Sequence, residues 1–271
     1  MYFDAFSRIV SVQEDPMKLG MITYNVARDW DLETLIHQVK AAGWAGVELR
    51  TEHAHGVETT LSKPERKVVR QRFEDSGIEL WGFGTVCEFH SADSNVVKAN
   101  LESCKRWCEL AEDVGARGVK VRPNGLPKEV EESKTLEQIG RSLAACGKAA
   151  AAHGVEIWLE VHGSQTAHPP RIRTILDHVN HPSVGACWNC NREDLLDGSI
   201  GPYFELLQKD LKSCHINDLW SDYPYAELFT LLNAMNYDRY TLCEVGTPFH
   251  PEEGLAFMKC YGALWKSNMG R

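Results

Sequence analysis

No run of 18 apolar residues occurs in this chain, so nothing in it reads as a membrane-spanning helix. The first 16 residues hold Asp4, Glu14 and Asp15 and lack the apolar stretch of a signal peptide. They are expected to form a loose N-terminal extension, residues 1–17, ahead of one domain over 18–271. Basic charge is scarce: 29 Lys and Arg face 38 Asp and Glu, a net charge of -9. A binder of the phosphate backbone usually carries a basic stripe; none is evident, so nucleic acid is not an expected partner. The nine cysteines show no paired zinc-knuckle spacing. An odd number of thiols fits reduced packing residues in a cytoplasmic protein. The glycine-rich phosphate loop of an open dinucleotide-binding sheet is also missing, and Tyr24-Asn25-Val26-Ala27 stands in its place.

What is present is a repeated phrase. Ala42-Gly43-Trp44-Ala45-Gly46-Val47-Glu48-Leu49 ends a helix, turns and enters a strand, and Val114-Gly115-Ala116-Arg117-Gly118-Val119-Lys120-Val121 does so again. Glycine just past a helix supplies the left-handed cap, and the β-branched run behind it favours a strand. Ser62-Lys63-Pro64-Glu65 and Thr135-Leu136-Glu137-Gln138 both have the spacing of a capping box at a helix start. The pattern predicts strands at 18–23, 46–50, 78–84, 118–122, 156–161, 184–188, 211–216 and 239–244. It predicts helices at 31–43, 63–76, 96–114, 135–153, 170–179, 203–209, 225–235 and 252–266. Eight strand-helix pairs in strict alternation imply a parallel sheet closed as a (β/α)₈ TIM barrel.

In such a barrel the ends of the strands converge on one face. Four short segments place a metal-capable side chain there: Glu160, Asn189, His215 and Glu244, which lie 29, 26 and 29 residues apart. One strand-plus-helix unit takes roughly 30 residues. Two carboxylates, an amide oxygen and an imidazole could therefore form one cation site, with Mn²⁺ or Mg²⁺ favoured by the hard oxygens and Zn²⁺ or Co²⁺ able to substitute. A carboxylate in an apolar strand needs a cation, and Lys120 or Arg122 is the alternative to a metal. Substrate contacts are expected from His53, His90, Lys120, Arg122, His162, Trp188, Asn191 and Arg192. Cys187, Cys190, Cys214 and Cys243 are expected to alternate away from the ligands and pack.

At these residues the chain resembles the xylose-isomerase-like TIM-barrel superfamily of sugar phosphate isomerases and epimerases, over roughly residues 18 to 266. The likeness rests on Glu160, Trp188-Asn189-x-Asn191, His215-x-Asn217-Asp218 and Glu244. It implies that Glu160 and Glu244 bind one divalent cation and flank the substrate, one removing a proton next to a carbonyl and the other returning it. Three positions differ from the ketose epimerase pattern: Asn189 replaces an Asp, Arg192 a His and Ser221 an Arg. The resemblance thus implies a metal-dependent isomerase or epimerase of a sugar or sugar derivative, working through an enediolate. A carbon-oxygen lyase or dehydratase acting on a keto-sugar or keto-inositol is the alternative. A non-catalytic sugar-binding barrel and an apurinic endonuclease are weaker ones. The expected partner is a small carbohydrate, and a homo-oligomer is left open.

Overall fold

Each helix-turn-strand phrase becomes one step around a closed barrel. The computed structural model describes residues 17–270; the expected extension lies almost wholly outside the described residues. The order is β1 (Lys18–Ile22), α1 (Leu32–Ala41), β2 (Gly46–Arg50), α2 (Lys63–Ser76), β3 (Glu79–Glu88), α3 (Ser94–Val114), β4 (Gly118–Arg122) and α4 (Glu132–Ala152). Then come β5 (Glu156–Glu160), α5 (Pro169–Asp177), β6 (Val184–Trp188), α6 (Gly201–Leu207), β7 (Leu211–Ile216), α7 (Tyr225–Ala234), β8 (Tyr240–Cys243) and α8 (Pro251–Asn268). All eight strands are parallel and pair in sequence order, and β1 closes on β8. No helix among the described residues is long and apolar enough to cross a membrane.

The local signals explain most boundaries. Gly77 and Gly115 end α2 and α3 at φ 75 and 79, the left-handed cap that a side chain would resist. Ser62 and Glu65 form the expected capping box at the start of α2. Thr135-x-x-Gln138 does not: α4 begins at Glu132, and the Thr135 hydroxyl turns back to the Glu131 carbonyl. The same four-residue spacing arises inside helices, where no orphan N–H groups need a cap. Strand β3 also continues past the expected residue 84 to Glu88, with a register shift against β4.

The barrel interior is filled by aromatics opposite glycines. Trp81 of β3 stacks on Trp158 of β5 with centroids 5.1 Å apart, and Tyr240 of β8 packs on Trp81 at 5.0 Å. A Cβ at Gly118 would lie 2.5 Å from the Trp158 ring, and one at Gly46 would lie 2.6 Å from Tyr240. The second glycine of each phrase therefore makes interior room, while the first makes the turn. This plug closes the lower barrel, so polar side chains on the same strands gather above it.

Candidate active site

Strand alternation lifts the site straight off that plug. On β5, Trp158 faces the interior, so Glu160 two residues on also faces in, at the open end. The same parity brings Asn189 after β6, His215 on β7 and Glu244 after β8 to the axis. Ligand atoms of Glu160, His215 and Glu244 all lie within 4.8 Å of one another. The His215 Nδ1 is 3.4 Å from Glu160 Oε1 and 3.3 Å from Glu244 Oε2. Asn189 is buried and its Oδ1 has no hydrogen-bond partner. Three electron-pair donors and an orphan amide oxygen fit a hard divalent cation, because a buried acceptor without a partner is costly.

A carboxylate missing from the sequence expectations completes the arrangement. Glu48 on β2 is fully buried, and its Oε2 lies 3.3 Å from His215 Nε2. With Nε2 turned to Glu48, Nδ1 is the nitrogen that faces the two other glutamates, and once the ring is deprotonated there it would offer its lone pair to a cation, the usual support for a metal-binding histidine. The signal was in the repeated phrase. Gly46-Val47-Glu48-Leu49-Arg50 and Gly118-Val119-Lys120-Val121-Arg122 share a pattern, so Glu48 sits on the interior side as Lys120 does.

Lys120 donates to Glu160 Oε2 at 2.7 Å, with both side chains buried. Of the two alternatives expected for Glu160, the ammonium is present on Oε2, while Oε1 faces His215 and the point where the three ligand atoms converge. Burial alone would raise the Glu160 carboxyl, but the Lys120 ammonium and His215 outweigh it and hold the group well below the usual range. Burial would likewise lower Lys120, yet Glu160, Glu48 and Glu244 keep it above its ordinary value. With three carboxylates and one ammonium, the cluster carries an excess of negative charge before any cation binds.

The expected substrate contacts divide. Arg122, two residues above Lys120, pairs with Glu88 at the end of β3, and its Nε is buried without a partner. His162 follows Glu160; burial lowers its pKa, and Nδ1 has no partner. His90 Nδ1 stands 3.9 Å from Glu88. His53 accepts or donates at Thr23 Oγ1 at 3.1 Å, and burial, His55 and Arg50 push its pKa down to about 4. These four surround the mouth. Three others do not reach it. Trp188 points outward, its Nε1–H donating to Tyr223 Oη at 2.9 Å and its ring meeting Phe204 of α6. Asn191 ties two loops by donating to the Val161 carbonyl at 2.6 Å. Arg192 lies on the exposed rim, paired with Asp222. Strand alternation turns Trp188 outward next to Asn189, and Arg192 opens the short 3₁₀ turn that leaves the strand end.

Cysteine placement also needs one correction. Cys214 and Cys243 face away from the ligands, but Cys187 shares the inward face with Asn189 and packs against Trp81, Trp158, Tyr240 and Leu242. Cys187 and Cys190 stand at Cys-x-x-Cys spacing around Asn189 and are both free. The Cys190 Sγ–H donates to the His215 carbonyl at 3.2 Å.

The family described as xylose isomerase-like TIM barrel matches residues 36–260. No curated protein matches the sequence. Among solved structures, a D-psicose 3-epimerase in the presence of D-fructose superposes with TM-score 0.78 at 15% identity, covering 94% of this chain and 100% of that one. The 3-keto-D-glucoside 4-epimerase YcjR from E. coli gives 0.75 at 16%, covering 92% and 99%. The IOLI protein with a binding zinc atom gives 0.74 at 16%, covering 93% and 99%. At these identities the structural likeness shows the fold.

Proposed function

The chain belongs to the xylose isomerase-like TIM barrel family, and from that membership we propose that it is a divalent-metal-dependent isomerase or epimerase of a sugar or sugar derivative. The observation that carries this reading is the convergence of Glu160, His215 and Glu244 on one point beside the orphan Asn189 Oδ1. That similar folds include a D-psicose 3-epimerase and a 3-keto-D-glucoside 4-epimerase supports a sugar as the substrate class. A cation held by Glu160, Asn189, His215 and Glu244, Mn²⁺ or Mg²⁺ by the hardness of the oxygens, would supply Lewis acidity toward a substrate oxygen.

The chain's own groups do the rest. Glu160 and Glu244 approach from β5 and β8, so a substrate seated above the cation site would meet both carboxylates. One takes the proton next to a carbonyl and the other returns it. Lys120 keeps Glu160 ionised in a buried setting, and His162, whose Nδ1 has no partner, would hydrogen-bond a substrate hydroxyl. The aromatic plug below and the walls around the mouth exclude water from the far side. A lyase acting on a keto-sugar or keto-inositol is the second reading. It is favoured by the unpartnered His162 Nδ1 beside Glu160, since the imidazole could hydrogen-bond a leaving oxygen.

Incubation with Mn²⁺ and a ketose panel in D₂O tests the proposal. An isomerase or epimerase introduces deuterium at the carbon beside the carbonyl without losing water or an aglycone, whereas a lyase product lacks one of them. Glu160→Gln and Glu244→Gln should each slow exchange by about 10²–10⁴-fold. Exchange at wild-type rate in both variants would make the carboxylates structural.

A further inference from the structure

Beside the metal-binding mouth lies a groove of about 790 Å³ between the loops that follow β3, β4 and β5. Its volume is within the range of about 300–1,000 Å³ found for small-molecule sites. His90 lines its inner end, and Ser164 and Gln165 line the wall just beyond His162. A chain of side-chain contacts links the groove to the cation site: Glu160 pairs with Lys120, Arg122 above it pairs with Glu88, and Glu88 neighbours His90.

The walls are tied down. Gln138 of α4 donates to the Phe89 and Ser91 carbonyls at 2.8 and 2.9 Å, which fixes the loop after β3. The other two loops are in tight contact, since a Cβ at Gly163 would lie 2.5 Å from the Asn124 Cα. Asn124 and Gln165 both hold positive φ, 62 and 67, a conformation costly for a side-chain-bearing residue and common where backbone is shaped around a ligand. Three nitrogens near the groove are buried without a partner: Nδ1 of His90, which lines it, and Arg122 Nε and His162 Nδ1, which lie at the ends of β4 and β5. A buried donor or acceptor of this kind carries a desolvation penalty unless a partner arrives to meet it.

We propose that this groove is a second sugar subsite, so that the substrate is a glycoside or oligosaccharide whose reacting ring sits at the cation site and whose next ring lies between these loops. The inference rests on the proposed sugar chemistry of that site. The lining suits a neutral polyol. Ser164 and Gln165 offer donors and acceptors, and Leu126 and Pro127 offer an apolar strip for a ring face. Asp93 and Glu129 outnumber Lys128, which disfavours a phosphate. Of the orphan nitrogens, that of His90 belongs to the groove lining and would meet a hydroxyl near the inter-ring oxygen.

Calorimetric titration of the Mn²⁺-loaded protein tests this with D-fructose and its neutral glucosides turanose, leucrose and isomaltulose, which differ only in linkage. At least one glucoside should bind tenfold or more tightly than D-fructose. Ser164→Trp and Lys128→Trp, which fill the groove from opposite sides at exposed positions, should each abolish that gain while Mn²⁺ affinity stays at the wild-type level. A panel in which no glucoside exceeds D-fructose, or in which no sugar binds, overturns the subsite. So does a gain that survives in both filled variants. Failure to bind Mn²⁺ at all would instead remove the metal-dependent reading on which the subsite rests.

Discussion

An imidazole offers a cation only the nitrogen that lacks a proton, and in His215 the partner of the other nitrogen is Glu48. Removing that charge should leave the fold intact and loosen the ion. Glu48→Gln is expected to weaken Mn²⁺ binding by about 10–100-fold in calorimetric titration, the usual cost of losing a partner to a metal-binding histidine. Unchanged affinity would mean that Glu48 serves packing alone. The second residue-scale prediction concerns Asn189. Two glutamates, a neutral histidine and an amide give a ligand charge of about -2; Asp would make it about -3 and bind a hard cation more strongly. Asn189→Asp should therefore raise Mn²⁺ affinity, by roughly tenfold. Equal affinities would show that the Asn189 amide is not a ligand. These residues differed in legibility. Glu160, His215 and Glu244 ended apolar runs at even spacing, so alternation and topology made them visible. Glu48 lay inside a strand that read as ordinary alternation, and its role depended on a contact 167 positions away.

The short 3₁₀ turn Arg192–Asp194 follows Asn189 and carries a buried carboxyl at its end. Asp194 accepts from the Asn191 N–H at 2.6 Å and from the Tyr223 hydroxyl at 3.0 Å. Burial dominates these bonds and pushes its pKa from 3.8 up to about 7. A folded-state pKa above the unfolded one means that the protonated form is favoured by folding. Its stabilising contribution is complete below about pH 4 and is lost as pH rises to 7 and beyond. Asp194→Asn, which mimics the protonated group, should flatten the decline in stability between pH 5 and pH 8. The gain at pH 8 has a ceiling of roughly 4 kcal/mol, at about 1.4 kcal/mol per unit. Urea unfolding at both pH values measures it, and parallel declines in the two proteins would contradict the assignment. Most elements were readable because glycine caps and β-branched runs act locally. The start of α4 and the end of β3 were not, since a capping spacing inside a helix and an irregular strand pairing are settled by neighbours.

Around the whole barrel, closure depends on glycines whose value appears only once the strands are side by side. Gly46 and Gly118 read as turn or strand residues in sequence, but they face Tyr240 and Trp158 across the lumen. Gly118→Ala should destabilise by about 1–3 kcal/mol through overpacking. That corresponds to a lower Tm by several degrees, at about 2–4 °C per kcal/mol for a chain of this size class. An unchanged Tm would mean that the aromatic plug yields freely. The plug also sets the floor beneath the candidate cation site, where the (β/α)₈ strand order brings Glu160, His215 and Glu244 together, with Asn189 expected beside them. The claim that they meet around one ion is tested most directly by anomalous scattering from crystals grown with Mn²⁺. The account predicts a single peak within coordination distance of Glu160, His215 Nδ1, Glu244 and Asn189 Oδ1. No peak there, or a cluster of three, would contradict it.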